Sequence, residues 1–234
     1  MSKHLRSEID ELKRKILALS GVVEENFHKA VAAIERRDVD LAKTVIESDH
    51  RVDEMEVEVE EECLKILALH QPVAMDLRYI VAVLKLNNDL ERIGDLAVNI
   101  AEQTTSLSEV AAPVLRAEIN DMTRRVEWML GGSLDALVNL DPAMARQVCA
   151  ADDEVDSIHR SVYQQITEML GTRNHSVAGL LHMLSVSRYL ERIADLSTNI
   201  AEDVLYMVDG EIVRHGGAAR RSDSPSAGDG SAGS

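Results

Sequence analysis

The chain has 234 residues, of which 45% are hydrophobic and 28% are charged, so it can bury an ordinary core without disulfide or metal support. Its 41 acidic and 25 basic side chains give a net charge of −16, which repels nucleic-acid phosphates and anionic lipid. We therefore expect neither nucleic-acid binding nor direct membrane insertion.

The sequence shows no membrane-spanning segment, no signal peptide and only two cysteines. No stretch approaches the roughly 18 apolar residues that a spanning helix needs, and the N-terminal sequence lacks the apolar core of a signal peptide. Cys63 and Cys149 lie far apart and form no C-x-x-C pair, so we predict two reduced core cysteines. These features predict a cytoplasmic protein that reaches the inner membrane only through protein partners.

Six helices are predicted, because apolar residues recur at three- and four-residue spacing and the alternation typical of strands is not sustained. The breaks between them carry a capping residue, a proline or a glycine. Asp141 followed by Pro142 is a strong start, since Asp accepts free amide hydrogens and Pro suits the first turn. The predicted spans are 4–36, 39–70, 73–107, 114–139, 142–171 and 176–208. The predicted fold class is all-α.

The C-terminal segment loses this periodicity. After Asp209, Gly, Ser, Ala and Asp replace the regularly spaced apolar residues, so no packed face can form. We predict a disordered tail over residues 216–234.

An internal repeat organises the chain. LERIGDLAVNIAE at 90–102 and LERIADLSTNIAE at 190–202 match at ten of thirteen positions. Upstream, Asp38 matches Asp141 at an offset of 103 instead of 100, which predicts a turn three residues shorter in the second unit. We predict two tandem pseudo-symmetric three-helix bundles, residues 1–108 and 109–215.

The third helix of each unit combines an apolar seam with an acidic stripe. The predicted seam is Leu86, Leu90, Ile93, Ala97 and Ile100. The predicted exposed stripe is Glu91, Asp95, Asn99 and Glu102, repeated as Glu191, Asp195, Asn199 and Glu202.

Each stripe contains carboxylates four residues apart, which repel each other by a few tenths of a kcal/mol on a helix. A bound cation would relieve that repulsion, and carboxylates suit magnesium, manganese, iron and calcium better than soft metals. The pattern favours one carboxylate-bound metal site per unit, although a solvated helix face is the simpler interpretation of any single pair.

A second acidic row lies on the second helix and differs between the units. It consists of Asp49, Asp53, Glu56 and Glu60 in the first unit, and of Asp152, Asp156, His159 and Tyr163 in the second. The two sites are therefore expected to differ in metal, nuclearity or affinity. The sequence leaves open whether the rows of the second and third helices converge.

These motifs together resemble the PhoU family. The resemblance rests on LERIGD and LERIAD, each followed by NIAE, on the repeated E(D)-x-x-x-D motifs and on the segment YMVDGEIVRH. It implies paired three-helix bundles, often dimeric, whose carboxylates hold surface metal ions such as iron, manganese, magnesium or zinc. The ligands it implies are Asp49, Asp53, Glu91 and Asp95 in one unit and Asp152, Asp156, Glu191 and Asp195 in the other. Additional or supporting residues would be Glu56, Glu60, Asn99, Glu102, His159, Asn199 and Glu202.

The resemblance also implies a function. Members of the family act between a phosphate ABC transporter, through its ATPase subunit, and a phosphate-sensing histidine kinase. They lower phosphate uptake and phosphate-responsive gene expression when phosphate is plentiful. We therefore expect a non-enzymatic, metal-binding adaptor that forms a homodimer.

Two other interpretations remain open. Glu25-x-x-His28 and Glu47-x-x-His50 have the spacing of ferritin-like di-iron proteins, although the repeat does not preserve either pair. A purely structural scaffold with solubilising carboxylates is the second. A conventional enzyme is disfavoured, because no phosphate-binding loop, dinucleotide fingerprint, H-E-x-x-H or G-x-S-x-G motif is present.

Overall fold

The computed structural model describes residues 3–108, 116–171 and 176–209, and within these ranges every regular element is an α-helix. The all-α prediction is confirmed. The helices are α1 (Lys3–Arg36), α2 (Val39–His70), α3 (Ala74–Ser108), α4 (Arg116–Asn139), α5 (Pro142–Leu170) and α6 (Val177–Asp209). The predicted tail at 216–234 and residues 114–115 of the predicted fourth helix lie outside the described residues.

Two equivalent turns start the second helix of each repeat. The Asp38 carboxylate accepts the amide of Leu41 at 2.9 Å, and the Asp141 carboxylate accepts the amides of Ala143 and Met144 at 2.8 and 3.2 Å. Each side chain thereby satisfies amides that have no partner within the helix. The helix starts predicted at residues 39 and 142 are confirmed.

The residue before each cap adopts the same unusual backbone conformation. Arg37 has φ of 56° and Leu140 has φ of 49°, both in the left-handed region that ends helices. The amides of Asp38 and Asp141 then donate to carbonyl oxygens five residues back, each at 2.9 Å. The sequence repeat is therefore also a repeat of backbone geometry.

Helix packing follows the repeat. Helices α1, α2 and α3 pack against one another, as do α4, α5 and α6, and α3 packs along α6 to join the two groups. The α3–α6 pair is antiparallel, because Lys85 contacts Asp203 whereas Gln103 contacts His182. The fold class of two tandem three-helix bundles is confirmed, whereas the boundaries at 108 and 215 stay predictions.

The predicted apolar seam of α3 is the centre of the first core. All five seam residues are at most 1% exposed. On the facing helix α2, the buried residues Val45, Val52, Val59 and Cys63 supply the other side. Cys63 and Cys149 are both free thiols, the first buried and the second half-buried.

The second helices of the two repeats differ in length. Helix α5 has 29 residues and α2 has 32, while residues 172–175 of the connection to α6 lie outside the described residues, so the shorter turn stays a prediction. Within the three described ranges, no helix combines the length and apolar content needed to cross a membrane.

Candidate metal-binding faces

Carboxylates of α2 and α3 lie near one another in the first repeat. Partial burial raises the pKa of Asp49, and the negative charges of Asp53 and Asp95 raise it further. Burial likewise raises the pKa of Asp95, with a second contribution from Asp53. Two residues on α2 and one on α3 are therefore close enough to influence one another's pKa values, while their role as ligands stays a prediction.

Glu91 and Glu56 extend this cluster along the helix pair. The pKa of Glu91 is raised by burial and then by Asp95, Glu56 and Asp53. The pKa of Glu56 is raised by burial, by Glu60 and by Asp53. We define the first acidic face as Asp49, Asp53, Glu56 and Glu60 of α2 with Glu91 and Asp95 of α3.

Asn87 holds Glu56 in this face. Its amide nitrogen donates to the Glu56 backbone oxygen at 2.9 Å and to Glu56 Oε1 at 3.2 Å. Asn87 is only 2% exposed, so the contact links the core to the rim of the face. Its Nδ2 donates to one flexible carboxylate and thereby orients it.

The second repeat has a corresponding but less acidic arrangement. Burial raises the pKa of Glu191, Asp156 and Asp152 raise it further, and Arg192 opposes the increase. Asp195 follows one turn later on α6 and is half-buried. We define the second acidic face as Asp152 and Asp156 of α5 with Glu191 and Asp195 of α6.

His159 lies beside the second acidic face. Its Nδ1 is 2.7 Å from Ser187 Oγ on α6. Burial lowers the pKa of His159, the carboxylate of Asp156 opposes the decrease, and the charge of Arg188 adds to it. Tyr163, one turn further along α5, is 56% exposed. The replacement of two carboxylates by His and Tyr thus leaves this side of the face with less negative charge.

The remaining predicted residues continue the rows on α3 and α6. Glu202 and Asp152 together raise the pKa of Cys149, after burial, to about 11. Glu202 therefore lies near the start of the α5 row. Asn99 and Asn199 are half-buried, and Glu102 is exposed.

The predicted stripe is less exposed than expected. Glu91 and Glu191 are half-buried, as are Asp195 and Glu202, whereas Asp95 is exposed. The reason is that α2 and α5 pack close beside α3 and α6 and cover part of each carboxylate row. Partial desolvation makes the repulsion between these charges stronger than on an open helix surface.

The donor chemistry of both faces fits hard cations, since carboxylate oxygens are the preferred ligands of magnesium, manganese and iron-type ions. In the described part of the chain, no three His, Cys, Asp or Glu side chains are positioned together as a ready metal-ligand group. Ion binding would therefore require carboxylates from facing helices to rotate toward each other. A bound cation would remove the repulsion between these carboxylates, and this would favour binding.

The ferritin-like pairs do not assemble. Glu25 pairs with Lys29 at 2.7 Å, while His28 lies 2.9 Å from Glu127 on α4. His50 Nδ1 lies 2.7 Å from the backbone oxygen of Glu47 and not from its carboxylate. Neither Glu-x-x-His pair points into a shared bundle core.

Sequence reasoning missed the residues that support each face. Asn87 and Ser187 occupy equivalent positions, one turn before Glu91 and Glu191, and each contacts a side chain of the neighbouring helix. They share a helix face with Glu91 and Glu191, because residues four apart lie on one side of a helix, but the repeats hold different side chains there and a search for identical residues did not find them.

The comparisons with known proteins cover both repeats. The sequence matches the PhoU domain over residues 7–104 and 119–204. A phosphate-specific transport system accessory protein PhoU homolog of Clostridium acetobutylicum is 34% identical over 212 residues, 90% of this chain and 97% of that protein. A homolog with the same description from Pseudomonas putida is 35% identical over 94% of this chain and 86% of its own length.

Two solved structures agree with the fold. The crystal structure of PhoU from Pseudomonas aeruginosa gives a TM-score of 0.85 at 35% identity, over 88% of this chain and 99% of that one. The phosphate transport system regulatory protein PhoU from Streptococcus pneumoniae gives 0.82 at 27% identity, over 90% and 99%.

Proposed function

The chain belongs to the PhoU family, and we propose that it serves a phosphate-specific transport system as a negative regulator of phosphate uptake and of phosphate-responsive gene expression. The observation that carries the proposal is the match of both repeats to the family, with relatives covered over 86% to 97% of their length. The relatives' names describe accessory and regulatory proteins, in agreement with the prediction that the chain is not an enzyme.

The proposed mechanism is protein docking. The chain acts as a cytoplasmic adaptor between the transporter's ATPase subunit and a phosphate-sensing histidine kinase, and it works as a homodimer. Exposed apolar side chains around the α2–α3 turn support docking, because exposed apolar patches mark interaction surfaces. Leu69, Val73 and Met75 are 66%, 74% and 58% exposed there.

Metal ions complete the proposed mechanism. Divalent or iron-type cations bound by the two acidic faces would neutralise the repelling carboxylates and fix the relative position of the paired helices. The mutual elevation of the carboxyl pKa values across α2 and α3 supports this role. The bound ions would supply a rigid, less negative surface to the partner.

Affinity purification from the native host tests the adaptor role. We expect the full-length chain from phosphate-replete cells to co-purify with the transporter ATPase and a sensor kinase, identified by mass spectrometry. The doubly substituted Val73→Asp/Met75→Asp chain should lose the ATPase, whereas Val138→Asp, an equally apolar position exposed on α4, should retain it. A folded, abundant wild-type bait that captures neither protein would refute the adaptor role.

A further inference from the structure

One side of α3 is apolar and exposed near the start of the helix. Leu77 and Val81 lie one turn apart and are 39% and 38% exposed. Lys85 and Asp89 continue the same side of the helix at four-residue spacing. Lys85 contacts Asp203 of α6, and Asp89, close to that carboxylate, is only 8% exposed. This side of α3 is therefore buried where α6 packs on it and exposed before that point.

The exposed part continues into the docking patch at the α2–α3 turn. Val73 immediately precedes α3 and is 74% exposed. We define the exposed apolar strip as Val73, Leu77 and Val81. Val73 belongs both to this strip and to the surface that the proposed function assigns to the transporter ATPase. A segment that covers the strip therefore also covers part of the docking patch.

Helix α6 ends beside this strip. The contacts of Lys85 with Asp203 and of Gln103 with His182 show that α3 and α6 run antiparallel and advance at nearly the same rate. The last residue of α6, Asp209, lies about 9 Å beyond Asp203 along the helix axis, at about 1.5 Å per residue. The end of α6 is therefore close to the level of residue 79 of α3, between two members of the strip.

The chain that follows Asp209 is long enough to reach the whole strip. Along α3, residue 73 is about 9 Å from residue 79. Residues 210–213 span up to about 13 Å when extended, at about 3.3 Å per residue. Gly210 directly follows the helix, and glycine there allows the chain to change direction without strain. Covalent attachment thus holds the next few residues near the strip.

The composition of this segment matches the strip. Ile212 and Val213 are the only large apolar residues between positions 210 and 234. Burying them against exposed apolar side chains of α3 removes both surfaces from water, which is favourable. The neighbouring residues of the segment, Glu211 and Arg214, carry opposite charges.

The charges beside the strip are complementary to those of the segment. Asp76 and Arg78 flank Leu77 along α3. The Arg78 guanidinium donates to Met75 Sδ at 3.2 Å, so it lies against the apolar surface. A segment with one acidic and one basic residue can pair with both of these side chains, and opposite charges at the edge of a contact favour one orientation.

We propose that residues 211–214 of this chain cover the exposed apolar strip and compete with the partner protein for it. The contact is autoinhibitory. Because the segment is joined to α6 by a single residue, its effective concentration at the strip is on the order of millimolar, and a partner must displace it. The competition rests on the docking in the proposed function, whereas the contact itself does not.

Disulfide cross-linking in the full chain tests the contact. We expect Leu77→Cys with Val213→Cys to form an intramolecular disulfide under mild oxidation, seen as a shift on a non-reducing gel. The control is Val177→Cys with Val213→Cys, because position 177 is equivalent in the second repeat but lies about 48 Å along α6 from its last residue. Burial raises the pKa of Cys63 to about 12 and of Cys149 to about 11, which keeps these thiols unreactive.

Affinity capture from the native host tests the competition. We expect the full-length Ile212→Asp/Val213→Asp chain to capture at least threefold more transporter ATPase than the wild type, since two charges cannot be buried on an apolar surface. Ala218→Asp/Ala219→Asp adds the same charge outside the segment and should leave the capture unchanged. Circular dichroism shows whether each variant retains the helical fold.

The outcomes separate the contact from the competition. No disulfide at position 77, or equal disulfide formation at positions 77 and 177, overturns the contact. A disulfide at position 77 that joins two chains places the segment on a second copy and overturns the intramolecular arrangement. With the intramolecular disulfide formed, unchanged ATPase capture by Ile212→Asp/Val213→Asp overturns the competition. Absence of the ATPase from every bait overturns the adaptor role and the competition with it, while the cross-link still decides the contact.

Discussion

Lys85 Nζ on α3 lies 3.2 Å from Asp203 Oδ1 on α6, so an ion pair joins the two repeats at their main helix–helix contact. Asp203 is 9% exposed and Asp89 is 8% exposed. The two carboxylates are close enough for the charge of Asp203 to raise the pKa of Asp89. The ammonium of Lys85 is thus the nearby cation for two nearly buried carboxylates, and Arg92 adds a second positive charge near Asp89.

Replacing Lys85 tests the contribution of this ion pair. We expect Lys85→Met to lower the free energy of unfolding by about 1–2 kcal/mol, because a desolvated carboxylate loses its partner. The loss stays below the roughly 3–5 kcal/mol of a fully buried pair, since Lys85 itself is half exposed. Urea unfolding measures the change. Lys43→Met, which removes an exposed pair with Asp40, should change stability by less than about 0.5 kcal/mol.

The burial of Asp89 predicts a pH dependence of stability. Burial raises its pKa to about 6, and Asp203 adds to the increase. An aspartate in the unfolded chain titrates near pH 4, so between about pH 4 and 6 the native state binds more protons than the unfolded state. Stability from this group is therefore greatest below pH 4 and falls as pH rises through 6.

Asp89→Asn should remove that contribution. In EDTA-treated protein we expect the variant to gain stability relative to the wild type as pH rises, by about 1 kcal/mol between pH 5 and pH 7.5. Urea unfolding at the two pH values gives the difference directly. A difference between variant and wild type that stays constant with pH would contradict the assignment to Asp89.

Gly94 and Ala194 occupy equivalent positions, and exchanging the two residue types should destabilise the protein at position 194 and leave its stability almost unchanged at position 94. A Cβ at Gly94 would lie 3.2 Å from Val52 Cγ1, whereas Ala194 is accommodated at 1% exposure. Ala194→Gly should cost about 1–2 kcal/mol through lost helix propensity and a lost buried methyl group. In Gly94→Ala the gain in propensity is offset by the tight contact, so the net change should be within about 0.5 kcal/mol.

A double substitution separates these two effects at Gly94. Once Val52→Ala has removed the close methyl group, adding Gly94→Ala should stabilise the protein by about 1 kcal/mol. Thermal unfolding of the four proteins of the cycle gives the coupling between the two positions. Additive effects would show that Val52 does not limit the space.

The sequence predicted the fold because its strongest patterns are local. Caps at Asp38 and Asp141 and the apolar seam of α3 follow from spacing alone, and the repeat relates the two bundles. The Lys85–Asp203 contact was not predictable in this way. It joins residues 118 positions apart, and the equivalent positions hold Ser185 and Gln103, so the repeat carries no trace of it.

The carboxylates of the candidate site were identified from the sequence, their burial was not, and their role as metal ligands stays a prediction. The repeated motifs gave the carboxylates of both faces, but helix periodicity could not show how far α2 and α5 cover them. The supports at Asn87 and Ser187 were hidden because their identities differ between repeats along with their partners. A search for residues that are identical in both repeats misses positions at which both partners of a contact differ.

The carboxylate pairs predict opposite effects of substitution with and without metal. In metal-free protein, Glu91→Gln/Asp95→Asn should raise the free energy of unfolding by a few tenths to about 1 kcal/mol, since it removes charges that repel each other and those of α2. In the presence of Mn²⁺ the wild type should gain thermal stability, because a ligand that binds only the native state stabilises it. The variant should not gain thermal stability when Mn²⁺ is added.

Two further variants make this comparison specific. Glu191→Gln/Asp195→Asn removes the equivalent pair of the second acidic face, so it should retain the Mn²⁺ response of the first. Glu54→Gln removes one exposed carboxylate of α2 that lies outside the first acidic face, and it should leave both the metal-free stability and the metal response unchanged. The metal content of each protein is measured by mass spectrometry alongside its thermal unfolding. An equal Mn²⁺ response in the wild type and in Glu91→Gln/Asp95→Asn would show that these carboxylates are solvated surface groups that do not bind the ion.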